Sequence, residues 1–118
     1  MIDFPKSLRS FRFAFQGIWQ FFRNENNAKV HLLATVLVGV AGVYFGLARN
    51  EWLWIVAAVA LVWITESVNT AIEKLVDLVS PQFDPRAGAI KDLAAGAVLM
   101  ADIAAVIIGG LIFWPHVH

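Results

Sequence analysis

Residues 52–64 read WLWIVAAVALVWI, and residues 66–77, after Thr65, read ESVNTAIEKLVD. Thirteen uninterrupted apolar residues thus lead into an acid-rich segment that continues the same helix. Carboxylates beside hydrocarbon are costly, so a chain that keeps them there uses them. From Glu66, the polar residues Asn69, Thr70, Glu73 and Asp77 follow at +3, +4, +7 and +11. At about 100° per residue they share one helix face, within an arc of about 100°. Val68, Ile72, Leu75, Val76 and Val79 keep the opposite face apolar. A one-sided stripe of acids and amides reaching into a bilayer points to a site for cations or phosphates, not to simple anchoring.

Composition agrees with a membrane setting. The chain of 118 residues is 59% hydrophobic and 15% charged, more apolar surface than a soluble core of this size hides. The length allows one domain, residues 1–118. There is no cysteine, which excludes disulfides and thiolate metal sites. The basic N-terminal stretch lacks the compact apolar core and small-residue cleavage site of a secretory signal. Net charge is zero, so its distribution carries the information.

Working outward, three segments are long and apolar enough to cross about 30 Å of hydrocarbon: about 30–47, 52–79 and 87–114. The short connection through Ala48 and Glu51 makes the first two antiparallel. Pro81 and Pro85 mark the stretch from Ser80 to Arg86 as a loop, and Pro115 is expected to close the last helix near Trp114. Ahead of them, residues 4–23 repeat Leu8, Phe11, Phe15, Ile18 and Phe22 at steps of three and four, with Lys6, Arg9, Gln16, Gln20 and Arg23 largely off that stripe. This predicts an amphipathic helix lying on the membrane surface; folding back on the spans would satisfy the same pattern. The fold expected is all-α: a surface helix and three transmembrane helices.

Lys6, Arg9, Arg12, Arg23, Lys29, Lys74, Arg86 and Lys91 fall on one side of the three spans, and Arg49 alone on the other. The positive-inside rule then puts the N-terminus and the Ser80–Arg86 loop in the cytoplasm, in a multi-pass protein of the cytoplasmic membrane. The acid stripe faces the leaflet where nucleotides are available.

No Gly-x-x-x-x-Gly-Lys-Ser/Thr cradle exists in the sequence. Phosphates would have to be held by a metal on carboxylates together with basic side chains. Mg²⁺ takes hard oxygen ligands, often one or two carboxylates with substrate phosphates and water. Glu73 has the right type and depth. Glu25, before the first span, and Lys91 with Asp92, entering the third, reach a similar level. Four chain segments so bring polar groups to one membrane plane.

The pattern Glu66-x-x-Asn69-Thr70-Ala71-Ile72-Glu73-x-x-Val76-Asp77, followed by Lys91-Asp92-x-x-Ala95-Gly96-Ala97-Val98, resembles the prokaryotic diacylglycerol kinase family, which includes the undecaprenol kinases. The resemblance covers nearly the whole chain. It implies a homotrimeric bundle with active sites shared between protomers at the cytoplasmic interface. It also implies transfer of the ATP γ-phosphoryl to a membrane lipid alcohol, undecaprenol or diacylglycerol, with Mg²⁺, giving undecaprenyl phosphate or phosphatidic acid. By motif position, Glu66 corresponds to the catalytic base, and Glu25 and Glu73 to metal ligands that also meet the nucleotide. Lys91 corresponds to a phosphate-binding residue, and Asp92 and Asn69 to polar site positions. Lys6 or Arg9, with Phe13, stand for the nucleotide-binding residues of the surface helix. Asp77 extends the polar site, and Trp63 with Glu66 and Asn69 would meet the lipid. Glu25-x-Asn27-x-x-x-His31 looks more like the undecaprenol kinase branch. Asp102, inside the third span, departs from the family pattern.

Each feature has a plainer reading. Glu66, Glu73, Asn69 and Thr70 could be hydrogen-bonding glue between helices. Glu25 could be a solvated residue before the membrane, Lys91-Asp92 a local pair at a helix start, and His31 structural. Two other functions compete. A proton-coupled exporter also uses intramembrane acids, but wants one near the midplane and has little use for Glu25, Lys91 and Asp92. A non-catalytic assembly subunit needs no aligned acid stripe.

Overall fold

A computed structural model describes residues 3–117. They form four helices: α1 (Phe4–Asn24), α2 (Asn26–Phe45), α3 (Arg49–Val79) and α4 (Pro85–Val117). No strand occurs among the described residues, and α2, α3 and α4 are each long and apolar enough to cross a membrane. The chain is an all-α membrane protein. It divides into two compact units, residues 1–36 and 37–118.

In the first unit, α1 starts on Asp3, whose Oδ1 accepts the Lys6 amide at 3.1 Å, with Pro5 at the helix start where no amide hydrogen is needed. Its apolar face stays open: Phe4, Leu8, Phe11, Phe15 and Ile18 are 53–70% exposed. An apolar stripe of this size has no place in water and suits the headgroup boundary of a bilayer. Glu25 is the single non-helical residue between α1 and α2; its extended backbone ends α1, and its amide bonds the Phe21 carbonyl at 3.1 Å. The second helix therefore begins at Asn26, a turn before the apolar run of Val30 onward.

In the second unit, α2 ends in a Schellman turn. Gly46 takes φ +66°, its amide bonds the Val43 carbonyl, and the Leu47 amide bonds the Gly42 carbonyl. Only glycine adopts this left-handed geometry without strain. Glu51 then reaches back to accept the Ala48 amide at 2.9 Å and starts α3. A Cβ on Gly42 would fall within the Trp52 indole, so the glycine is what lets α2 and α3 meet at this hairpin.

The helices α3 and α4 pack antiparallel along their length. Ile55, Ala58, Glu66 and Val76 on α3 and Ala94 and Ala101 on α4 are buried. Small residues let the backbones approach closely where no hydrophobic force drives helices together. Contacts hold both ends. At one, Lys91 pairs with Asp77. At the other, His116 Nε2 lies 2.9 Å from Glu51 Oε2, and its ring stands 6.1 Å from that of Phe45. The outer faces carry Val43, Leu53, Val56, Ile64, Leu99, Met100 and Val106, all exposed, as lipid-facing surfaces are. Pro115 does not end α4, which runs on to Val117. Proline removes only its own amide, and in a last turn the amides of His116 and Val117 still reach back.

The α3–α4 loop ends on a cap built by Asp84 and Pro85. Asp84 Oδ1 accepts the Arg86 amide at 2.9 Å, and the Arg86 guanidinium bonds Oδ2 at 2.9 Å. The guanidinium, together with that amide, holds the Asp84 carboxyl below the usual carboxylate range. A lowered folded pKa stabilises at pH above the unfolded value and loses that contribution as pH falls through the folded value. Amide exchange at Arg86 and Gly88, corrected for intrinsic rates, is therefore expected to speed up as pH drops below about 4. In Asp84→Asn this pH dependence disappears.

Candidate active site

At about 1.5 Å per residue, α3 spans roughly 46 Å, against about 30 Å of hydrocarbon. Trp52 and Trp54 suit the interface at its N-terminal end. About 20 residues from there reach Lys74, so Glu73 and Asp77 come out at the opposite boundary. Glu66 stays roughly 10 Å deeper than Glu73.

Glu66 is 5% exposed. Asn69, half-buried, donates from Nδ2 to Glu73 Oε1 at 3.0 Å. This bond points one carboxylate oxygen of Glu73 and leaves the other for a ligand. The Asn69 Oδ1 is buried and has no hydrogen-bond partner among the described residues. Buried acceptors are rarely left so, and a buried oxygen one turn from a carboxylate adds to a hard-oxygen donor set. Donors of this type fit Mg²⁺. No group of three or more Asp, Glu or His converges among the described residues.

Toward the boundary, Lys91 Nζ reaches Asp77 Oδ1 across the hairpin, with side chains 38% and 65% exposed respectively. The pair holds a cation at the level where Glu73 emerges. Asp92 points outward beside it, and Trp63 is half-buried one turn deeper than Glu66.

The expected helix face shared by Glu66, Asn69, Glu73 and Asp77 lies within the second unit, and the Asn69–Glu73 bond joins two of its members. The direct Lys91–Asp77 pairing was not expected. Its sequence signal was an acid four residues before Pro81 and a base six residues after Pro85. The first unit carries the remaining residues. Glu25 is half-buried at the α1–α2 break, while Lys6 and Phe13 are exposed on α1.

The sequence profile of prokaryotic diacylglycerol kinases matches residues 12–113. The chain belongs to that family. It is 40% identical over 113 residues to an undecaprenol kinase of Bacillus subtilis, covering 96% of this chain and 92% of the relative. It is 39% identical over 112 residues to a diacylglycerol kinase of Synechocystis, covering 94% of this chain and 64% of that longer relative. Against a diacylglycerol kinase of Escherichia coli the identity is 27% over 113 residues, with 96% and 93% covered. Family membership makes the chain a kinase, and phosphoryl transfer depends on alignment and charge neutralisation.

Proposed function

We propose that this kinase phosphorylates undecaprenol, transferring the ATP γ-phosphoryl to the lipid hydroxyl at the cytoplasmic face of the membrane. That the chain is a lipid kinase, a transferase using a nucleotide, follows from its family. The observation that carries the lipid choice is the 40% identity to an undecaprenol kinase over 92% of that relative. The Glu25-x-Asn27-x-x-x-His31 pattern supports it. Diacylglycerol is the second reading, favoured by the relatives named diacylglycerol kinase.

In this reading residues 1–118 act as one domain, and three copies share active sites between protomers. The Lys and Arg distribution supports a cytoplasmic N-terminus and active site. Glu25 and Glu73 would hold Mg²⁺, with Asn69 fixing the Glu73 carboxylate. The bound ion would neutralise charge on the β- and γ-phosphates. Lys91 exchanges its Asp77 partner for the transferring phosphate, and Asp92, Lys6 and Phe13 contact the nucleotide. Glu66 takes the proton of the lipid hydroxyl, with Asn69 and Trp63 lining the approach. Proton removal by a positioned carboxylate contributes about 10²–10⁴-fold.

The test uses purified protein in lipid vesicles with labelled ATP, Mg²⁺ and either undecaprenol or diacylglycerol. Label entering undecaprenol faster, at equal surface concentration, is the expected result. Faster transfer to diacylglycerol replaces the substrate, and transfer to neither removes the reading.

A further inference from the structure

An aspartate inside a membrane span is costly and calls for a role, and Asp102 has none in the reaction so far described. Its place follows from the register of α3 against α4. Asp77 meets Lys91, and Asp77 stands eleven residues after Glu66 while Asp102 stands eleven residues after Lys91. Equal steps along antiparallel helices bring Glu66 and Asp102 to one level, roughly 16 Å from that ion pair. Eleven residues also turn a helix through three full turns and about 20° more. Glu66 thus shares the face of Asp77, and Asp102 the face of Lys91. The far end gives the same register: Glu51 is fifteen residues before Glu66, and its partner His116 is fourteen after Asp102.

Glu66 is buried, and Asp102 is half-buried. This is the last polar level. Beyond it, toward Glu51 and His116, the seam positions are Val62, Val59 and Ile55 on α3 and Ala105, Gly109 and Phe113 on α4. In the other direction lie Asn69, Glu73 and the Lys91–Asp77 pair. Neither helix carries a basic residue between Arg49 and Lys74, or between Lys91 and His116.

We propose that Asp102 is a specificity-determining residue, selecting a lipid alcohol whose hydroxyl is flanked by hydrocarbon over one flanked by esters. This rests on Glu66 being the residue that meets the lipid hydroxyl. Ionised carboxylates accept hydrogen bonds and do not donate. A hydroxyl satisfies this level as donor, and a polyprenol then continues into the apolar stretch. Diacylglycerol brings ester oxygens, which only accept, against Asp102, leaving acceptors facing each other unpaired.

The experiment compares kcat/KM for undecaprenol and for diacylglycerol in vesicles, for the wild type, Asp102→Leu and Asp102→Asn. The ratio is read within each preparation, so partial loss of folded protein cancels. Asp102→Leu is expected to lower the undecaprenol preference about tenfold, by raising the diacylglycerol rate. Asp102→Asn lowers it further, because its amide donates to ester carbonyls. A merely structural aspartate would slow both lipids in parallel. A parallel fall, or a ratio unchanged in both variants, overturns the proposal. A wild type that prefers diacylglycerol removes the undecaprenol reading alone; the ratio in Asp102→Asn still decides the role of Asp102.

Discussion

Glu66→Gln is expected to lower kcat by about 10²–10⁴ while leaving ATP affinity and folding intact. Three observations set this expectation. Glu66 is buried, it lies on the face that carries Asn69 and Glu73, and it sits deeper than both along α3. Glutamine keeps the volume and a polar end but cannot accept the proton. Replacing a buried carboxylate by an amide also lowers the cost of burial, so melting in detergent is expected to be unchanged or higher. The measurement is single-turnover transfer of labelled phosphate at saturating ATP. A folded Glu66→Gln protein with near-normal kcat would remove the base assignment.

Lys91→Met is expected to cost about 10³-fold or more in kcat/KM, the scale seen where a cation balances the charge of a transferring phosphoryl group. A thousandfold loss is about 4 kcal/mol. The Lys91–Asp77 pair is too exposed to account for it, since exposed ion pairs contribute about 0–1 kcal/mol. Magnitude therefore separates the two roles of the lysine. Loss of a few-fold, with a drop in melting temperature, would make Lys91 a helix-end clasp. Loss of three orders with unchanged melting makes it a phosphate contact. Lys91→Arg keeps the charge but changes its shape, and it is expected to fall between.

The helices were legible because each is set by its own periodicity. The acid stripe on α3 follows from steps of three and four, and the apolar runs of α2 and α4 need nothing but length and hydropathy. The Ser80–Arg86 turn announced itself through two prolines. What periodicity does not encode is register between helices. The pairings of Asp77 with Lys91 and of Glu51 with His116 are properties of two segments together, and neither segment alone signals them. Glu25 was picked as a site residue, but its position as the single break between α1 and α2 was hidden. The polar run from Arg23 to Asn27 reads as a loop of several residues, whereas one extended residue suffices. Pro115 misled for a similar reason. The rule that proline ends a helix describes interiors, and the final turn has few amides left to lose.

Within the candidate site, the part held on α3 was readable from sequence, since residues on one helix face need no tertiary information. The Asn69–Glu73 bond is an i to i+4 contact of that kind. A shared site of Glu25 and Glu73, as proposed, would depend on how helices and protomers assemble, and no single-helix pattern carries it.

The central claim is that carboxylates from separate helices, Glu25 and Glu73, grip one metal–nucleotide pair beside the lipid hydroxyl. Its most direct test is electron paramagnetic resonance titration of Mn²⁺, in place of Mg²⁺, with a non-hydrolysable ATP analogue and protein in vesicles. Wild type and Glu66→Gln are expected to bind the metal–nucleotide pair equally, while Glu25→Gln and Glu73→Gln each lose the tight component. Wild-type binding in either of the last two variants would contradict the account.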